Sequence, residues 1–121
     1  MAKKILVVDD SKAMRLIVIR TLRQAGLTDF ELCEASNGVE ALATVRKGGV
    51  DVVLSDWNMP EMTGIQLLES LRDDGFPGKF AFITSESTDE MRSRATTAGA
   101  HAFVTKPFTP ETFQKNLSPL L

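Results

Sequence analysis

The sequence predicts an α/β domain built on a five-stranded parallel sheet with helices on both faces. Two observations predict it. Five short apolar runs alternate with five stretches of helical spacing along the 121 residues. The first, third and fourth runs are nearly continuous in apolar residues, the composition of strands covered on both sides.

The first run is Ile5-Leu6-Val7-Val8. Ser11 is placed to cap the helix that follows, whose stripe of Met14, Ile17, Val18, Thr21, Leu22 and Ala25 repeats at helical spacing and stops at Gly26. The second run, Phe30 to Ala35, is an edge strand in which Cys33 reads as a small core residue. Val39, Leu42 and Ala43 begin the second helical stripe, which Gly48-Gly49 closes before the third run, Val50 to Leu54. Gly64, Leu67, Leu68 and Leu71 define a third helix, and Phe80 to Ile83 a fourth strand. Ser87-x-x-Glu90 reads as a capping box opening the fourth helix, which ends at Gly99. Ala102 to Val104 is the fifth strand; Thr109-Pro110 opens the last helix and Pro119 stops it. Strict alternation of this kind favours the flavodoxin-like strand order 2-1-3-4-5, which places ligands beyond the carboxyl ends of the strands.

The bulk properties narrow the function. The length favours a single domain over residues 1–121, with no linker or output domain. A net charge of −2 and a pI near 5.4 leave no positive field for nucleic acid. Cys33 is the lone cysteine, so no intrachain disulfide can form, and the apolar runs are too short to span a bilayer. Met1-Ala2-Lys3-Lys4 is no signal peptide. These features point to a cytoplasmic protein without membrane contact.

Reactive side chains gather at the strand ends. Asp9 and Asp10 follow the first strand, Asp56 follows the third after Ser55, Thr84 ends the fourth, and Lys106 comes just after the fifth. A parallel sheet brings all these ends to one edge. Three carboxylates there need a counter-charge, and Lys106 supplies only one. A hard divalent cation with oxygen ligands, Mg²⁺ above all, would complete the balance. Metal, lysine and hydroxyl beside a carboxylate nucleophile suit phosphoryl transfer, which asks mainly for positioning and charge neutralisation. Position alone leaves open which aspartate is the acceptor.

Five motifs in order resemble those of response-regulator receiver domains, over essentially the whole chain: Val7-Val8-Asp9-Asp10-Ser11; Ala35-Ser36-Asn37-Gly38-Val39-Glu40-Ala41-Leu42; Ser55-Asp56-Trp57-Asn58-Met59-Pro60 with Met62 and Gly64; Thr84-Ser85-Glu86; and Lys106-Pro107-Phe108. The Asp-Trp-Asn-Met-Pro stretch is most similar to that of stand-alone chemotaxis receivers of the CheY type.

The resemblance implies that Asp56 accepts a phosphoryl group from a histidine kinase, with small phosphodonors as substitutes. It implies Mg²⁺ held by Asp10, Asp56 and the carbonyl of Asn58, with Asp9 acting through water. Lys106 would contact the phosphoryl oxygens, Thr84 would swing to them, and Phe103 would turn inward behind it. Asn58 and Glu86 would tune dephosphorylation, with a phosphatase as a further partner, and Lys106-Pro107 would be a cis peptide. The output would be an altered surface of the fourth helix, fifth strand and fifth helix on a monomer, offered to a protein target such as a flagellar motor switch. The chain would thus be a regulatory switch, acting only in its own phosphorylation and dephosphorylation.

Some positions depart from the pattern. Phe103 stands where chemotaxis receivers usually carry tyrosine, the connection from Gly75 to Thr84 is slightly short, and the last helix is short as well. These changes lie near the output face, and a non-chemotaxis phosphorelay is the alternative they favour. Three other readings fit poorly. A dehalogenase-type phosphatase needs Asp-x-Asp after the first strand, whereas Asp9-Asp10 are adjacent. A nucleotide or flavin module would place glycines or hydroxyls there to cradle phosphate. A scaffold that is never phosphorylated would not need the intact acidic pair, acceptor, Thr84 and Lys106. His101 and Trp57 read as packing or solvated residues, with Trp57 shielding the site in part.

Overall fold

The computed structural model describes residues 3–121; Met1 and Ala2, part of the terminus read above as no signal peptide, lie outside the described residues. Strands β1 (Lys3–Val8), β2 (Phe30–Ala35), β3 (Val52–Ser55), β4 (Lys79–Thr84) and β5 (Ala102–Thr105) alternate with helices α1 (Lys12–Gln24), α2 (Gly38–Arg46), α3 (Gly64–Asp73), α4 (Asp89–Ala98) and α5 (Pro110–Leu117). All strand pairs are parallel, and the order is β2-β1-β3-β4-β5, as the alternation predicts.

Successive side chains of a strand point to opposite faces, and the two cores divide on that rule. Leu6, Val8, Val53, Phe80 and Phe82 join Leu42, Val45, Leu67, Leu68, Leu71 and Ala95 on the side of α2, α3 and α4. Ile5, Val7, Val52, Leu54, Ala81 and Ile83 join Val18, Ile19, Leu22, Phe113 and Leu117 on the side of α1 and α5. Each fully buried leucine or phenylalanine contributes roughly 1.5–3 kcal/mol of transfer free energy, so both faces are held firmly. Helix α4 is the exception, since Ala95 is its one buried residue.

The helical stripes rotate relative to their predicted positions. Ile17 is 43% exposed, while Ile19 turns inward. In α2 the buried set is Gly38, Ala41, Leu42 and Val45, and Val39 and Ala43 face solvent. The cause lies at the helix start: a Cβ on Gly38 would stand 2.8 Å from Met62 Cβ, so that bare face is pressed against the β3–α3 loop. The predicted box Ser87-x-x-Glu90 is also displaced. Thr88 is the cap, its hydroxyl accepting from the Met91 amide at 3.1 Å, and Asp89 and Glu90 occupy the first turn, where the helix dipole favours acids. Gly99 ends α4 at φ 102°, a conformation only glycine adopts without strain. Strand β3 begins at Val52, two residues later than the apolar run, because Asp51 spends its carboxylate on the Lys4 amide at 2.9 Å. Pro119 sits inside a 3₁₀ turn (Ser118–Leu120) that follows α5 and returns Leu120 to the core.

Candidate functional site

The register of the sheet builds the site. Val8 pairs with Ala35 and with Ser55, Ser55 with Phe82, and Thr84 with Thr105. The backbone ladder then runs one step further: Asp9 N–H donates to Ala35 O at 3.2 Å, Asp56 N–H to Val8 O at 3.0 Å, and Lys106 N–H to Thr84 O at 2.8 Å. Asp9, Asp56 and Lys106 are therefore the first residues beyond the ends of β1, β3 and β5, all on the same edge of the sheet. One carboxylate oxygen from each of Asp9, Asp10 and Asp56 falls within 4.8 Å of the others.

Lys106 Nζ lies 3.3 Å from Asp9 Oδ2 and 3.3 Å from Asp56 Oδ2. The other oxygen of Asp56 accepts from the Trp57 amide at 2.7 Å. That carboxylate is thus oriented at both ends, one oxygen held by the backbone and one turned to the ammonium. Asp9 is buried, Asp56 half-buried and Asp10 exposed. Burial pushes the Asp9 carboxyl above its usual range, Asp56 adds to that rise, and the Ser11 amide and Lys106 oppose it. One lysine balances one of three negative charges. The remainder is the donor set a hard cation such as Mg²⁺ prefers, carboxylates open to water on the Asp10 side.

The proton on Asp9 competes with such a cation. Mg²⁺ affinity is expected to rise with pH through the raised Asp9 range and to fall on acidification from a neutral to a mildly acidic pH. Asp9→Asn should flatten that dependence; isothermal titrations at both pH values check it, and equal affinities in the unmodified protein would contradict it.

Thr84 is fully buried, and its hydroxyl accepts from the Glu86 amide at 3.5 Å. Asn58 and Glu86, both exposed, meet at the mouth, Asn58 Nδ2 donating to Glu86 Oε1 at 2.8 Å. Lys106-Pro107 is cis, as the resemblance implies. Ser11 caps α1, accepting from Met14 N–H at 3.2 Å. Trp57, expected to shield the site, packs its indole into the core beneath it, 4.9 Å from the Phe82 ring and 6.3 Å from that of Phe103. His101 lies far from this edge, where burial and the nearby Lys79 and Arg72 charges lower its pKa.

Two contributions escaped the sequence reading. Arg15 reaches back from the first turn of α1 to donate to Asp9 O at 2.7 Å while pairing with Glu34 at 2.8 Å, which ties the acidic loop to β2. Thr63 and Gln66 form a reciprocal capping box that starts α3, and Thr-x-x-Gln is visible in the sequence. Ahead of that box, Glu61 takes φ 69° and Met62 N–H donates to Pro60 O at 2.7 Å, a tight turn that costs about 1–3 kcal/mol for a residue with a side chain.

Among the described residues no helix is long and apolar enough to cross a membrane. Comparison with known proteins agrees with the geometry. The chain is 40% identical over 119 residues to chemotaxis protein CheY-3 of Vibrio cholerae, covering 97% of this chain and 90% of that protein. It is 36% identical to chemotaxis protein CheY of Pseudomonas aeruginosa, covering 97% and 94%. The crystal structure of Vibrio cholerae chemotaxis protein CheY4 superposes with a TM-score of 0.87 at 36% identity, with both chains covered completely. The response regulator receiver domain family matches residues 5–118. Receiver domains bind Mg²⁺ at an acidic pocket, and this chain carries an aspartate cluster at its strand ends; it belongs to that family, as a CheY-like receiver domain of two-component signalling.

Proposed function

We propose that the chain is a single-domain switch, residues 1–121, phosphorylated on Asp56 by a histidine kinase. The observation that carries this is the placement of the Asp56 carboxylate, 3.3 Å from Lys106 Nζ and within 4.8 Å of the Asp9 and Asp10 oxygens. Asp56 Oδ2, the oxygen not engaged by Trp57 N–H, attacks phosphorus. The P–N bond to the donor imidazole breaks, its electron pair stays on the ring nitrogen, and that nitrogen takes up a proton. Lys106 and the hydroxyl of Thr84 neutralise and bond the transferred oxygens. Asp10, Asp56 and the carbonyl of Asn58 would hold Mg²⁺, with Asp9 acting through water; when bound, the ion would supply charge neutralisation of the phosphoryl oxygens. Asn58 and Glu86 form a polar clasp at the mouth and set how readily water, and a phosphatase partner, reaches the acyl phosphate.

The new bonds exist in one conformation only, so phosphorylation shifts the population toward it. Thr84 moves toward the phosphoryl group, Phe103 follows, and the α4–β5–α5 surface of a monomer changes for a protein target in the cytoplasm. The chemotaxis relatives make a flagellar motor switch the first target to test. Phe103 in place of the usual tyrosine favours, as a second reading, a phosphorelay outside chemotaxis.

Trp57 reports on the site, because its amide holds Asp56 Oδ1 and its ring touches Phe82. Its fluorescence is expected to change on adding Mg²⁺ and again on adding beryllofluoride. A flat response to both in the unmodified protein defeats the proposal.

A further inference from the structure

The ring of Phe103 is held from both sides. Its inner side packs near Phe82, with ring centroids 5.9 Å apart, and near Trp57 at 6.3 Å. Over the ring, from α4, lies the guanidinium of Arg92, its central carbon 4.7 Å from the ring centroid. Arg92 is exposed and has no ion pair among the described residues; Arg94, two residues on, pairs with Glu69 at 3.7 Å. Helix α4 buries only Ala95, so it has little apolar packing of its own with which to hold the ring. A phenylalanine also lacks the hydroxyl that could anchor its edge by a hydrogen bond, which leaves stacking forces alone to place it.

We infer that Arg92 is a positioning residue for Phe103: its guanidinium latches the ring in the unphosphorylated arrangement and so sets how far the switch equilibrium lies from the phosphorylated one. This deepens the reading of Phe103 as the aromatic of the switch and rests on it. The physical argument is one of linkage. A contact made in one of two conformations biases the equilibrium by its own free energy, and a ligand selecting the other conformation must overcome it. An exposed arginine–aromatic contact corresponds to about a two- to five-fold change in population. The latch also couples β5 to a helix otherwise loosely attached, so the two elements of the output face move together.

The test is a beryllofluoride titration in Mg²⁺, read by Trp57 fluorescence, on the full chain. Arg92→Met keeps the aliphatic stem and removes the charge; it should lower the half-saturating concentration by about two- to five-fold, and Arg92→Lys should lie between it and the unmodified protein. In a Phe103→Leu background, Arg92→Met should have no effect, which a merely structural role for the arginine would not produce. An unchanged or raised half-saturation in Arg92→Met, or the same fall without the ring, overturns the latch. A second measurement needs no effector: the Phe103 ring resonances of the unphosphorylated protein should shift on Arg92→Met, and unmoved resonances overturn the latch as well. Absence of any beryllofluoride response in the unmodified protein would instead overturn the phosphorylation reading on which the latch rests, whereas a response that Arg92→Met leaves unchanged overturns the latch alone.

Discussion

Asp56→Asn is expected to take up no phosphoryl group at all. After incubation with a small phosphodonor and Mg²⁺, intact-protein mass spectrometry should detect the phosphorylated species in the unmodified chain and none in the variant. An amide lacks the anionic oxygen that attacks phosphorus, so the loss is of the reaction itself rather than of a fraction of its rate. The fold should survive the change. Asparagine keeps an oxygen to accept from the Trp57 amide, now 2.7 Å from Asp56 Oδ1, and it removes one of three clustered negative charges. Melting temperature measured in parallel separates the two effects. Label persisting in the variant would move the acceptor to Asp9 or Asp10 and sink the assignment.

Gly64→Ala is expected to give the second large effect, on stability and on the site together. A Cβ at this position would collide with the carbonyl oxygen of Asp56 and stand 2.9 Å from Phe82 Cε1 and 3.0 Å from Trp57 Cα. None of these can give way cheaply, since two are backbone and the third is a fully buried ring. The Gly64 amide also donates to Trp57 O at 2.7 Å, so α3 starts against the very residues that carry the acceptor. Forcing a methyl into packed surroundings costs roughly 1–3 kcal/mol. Thermal unfolding should show a fall of several degrees, and Mg²⁺ titration should show weaker binding because Asp56 is displaced. A variant that melts and binds Mg²⁺ like the unmodified protein would mean that the β3–α3 loop yields freely.

Much of this arrangement could be read from the chain, and the reasons it could are physical. Near-continuous apolar runs such as Ile5 to Val8 announce strands covered on both faces, and alternation of type then leaves few topologies. The acidic pair, Asp56, Thr84 and Lys106 could be placed together because each adjoins a strand end, and parallel strands all end on one edge. What escaped is what depends on rotation and reach. Ile17 and Val39 lie within a residue of the buried stripe, so the helical period alone could not tell which side of the stripe faces the sheet. Ser87 and Thr88 are both good caps, and only the tertiary start of α4 selects the second. Arg15 acts through a long side chain bent back over its own helix start, a path that residue spacing does not encode. The inward set of Trp57 follows from a pocket built by Phe82 and Phe103, residues far along the chain.

At the edge of the sheet opposite the acidic pocket, one side chain gathers three loose strands of backbone. Arg72 donates from Nη1 to the carbonyls of Phe76 at 2.7 Å and Gly78 at 2.9 Å, and from Nη2 to that of Gly99 at 2.8 Å. It stitches the entries of β4 and β5 to α3 with a planar fork that no lysine could imitate. The domain is consequently pinned at its heel, where β4 and β5 begin. Strands clamped where they enter the sheet keep their register, so a chemical event at their far ends need not unfasten them.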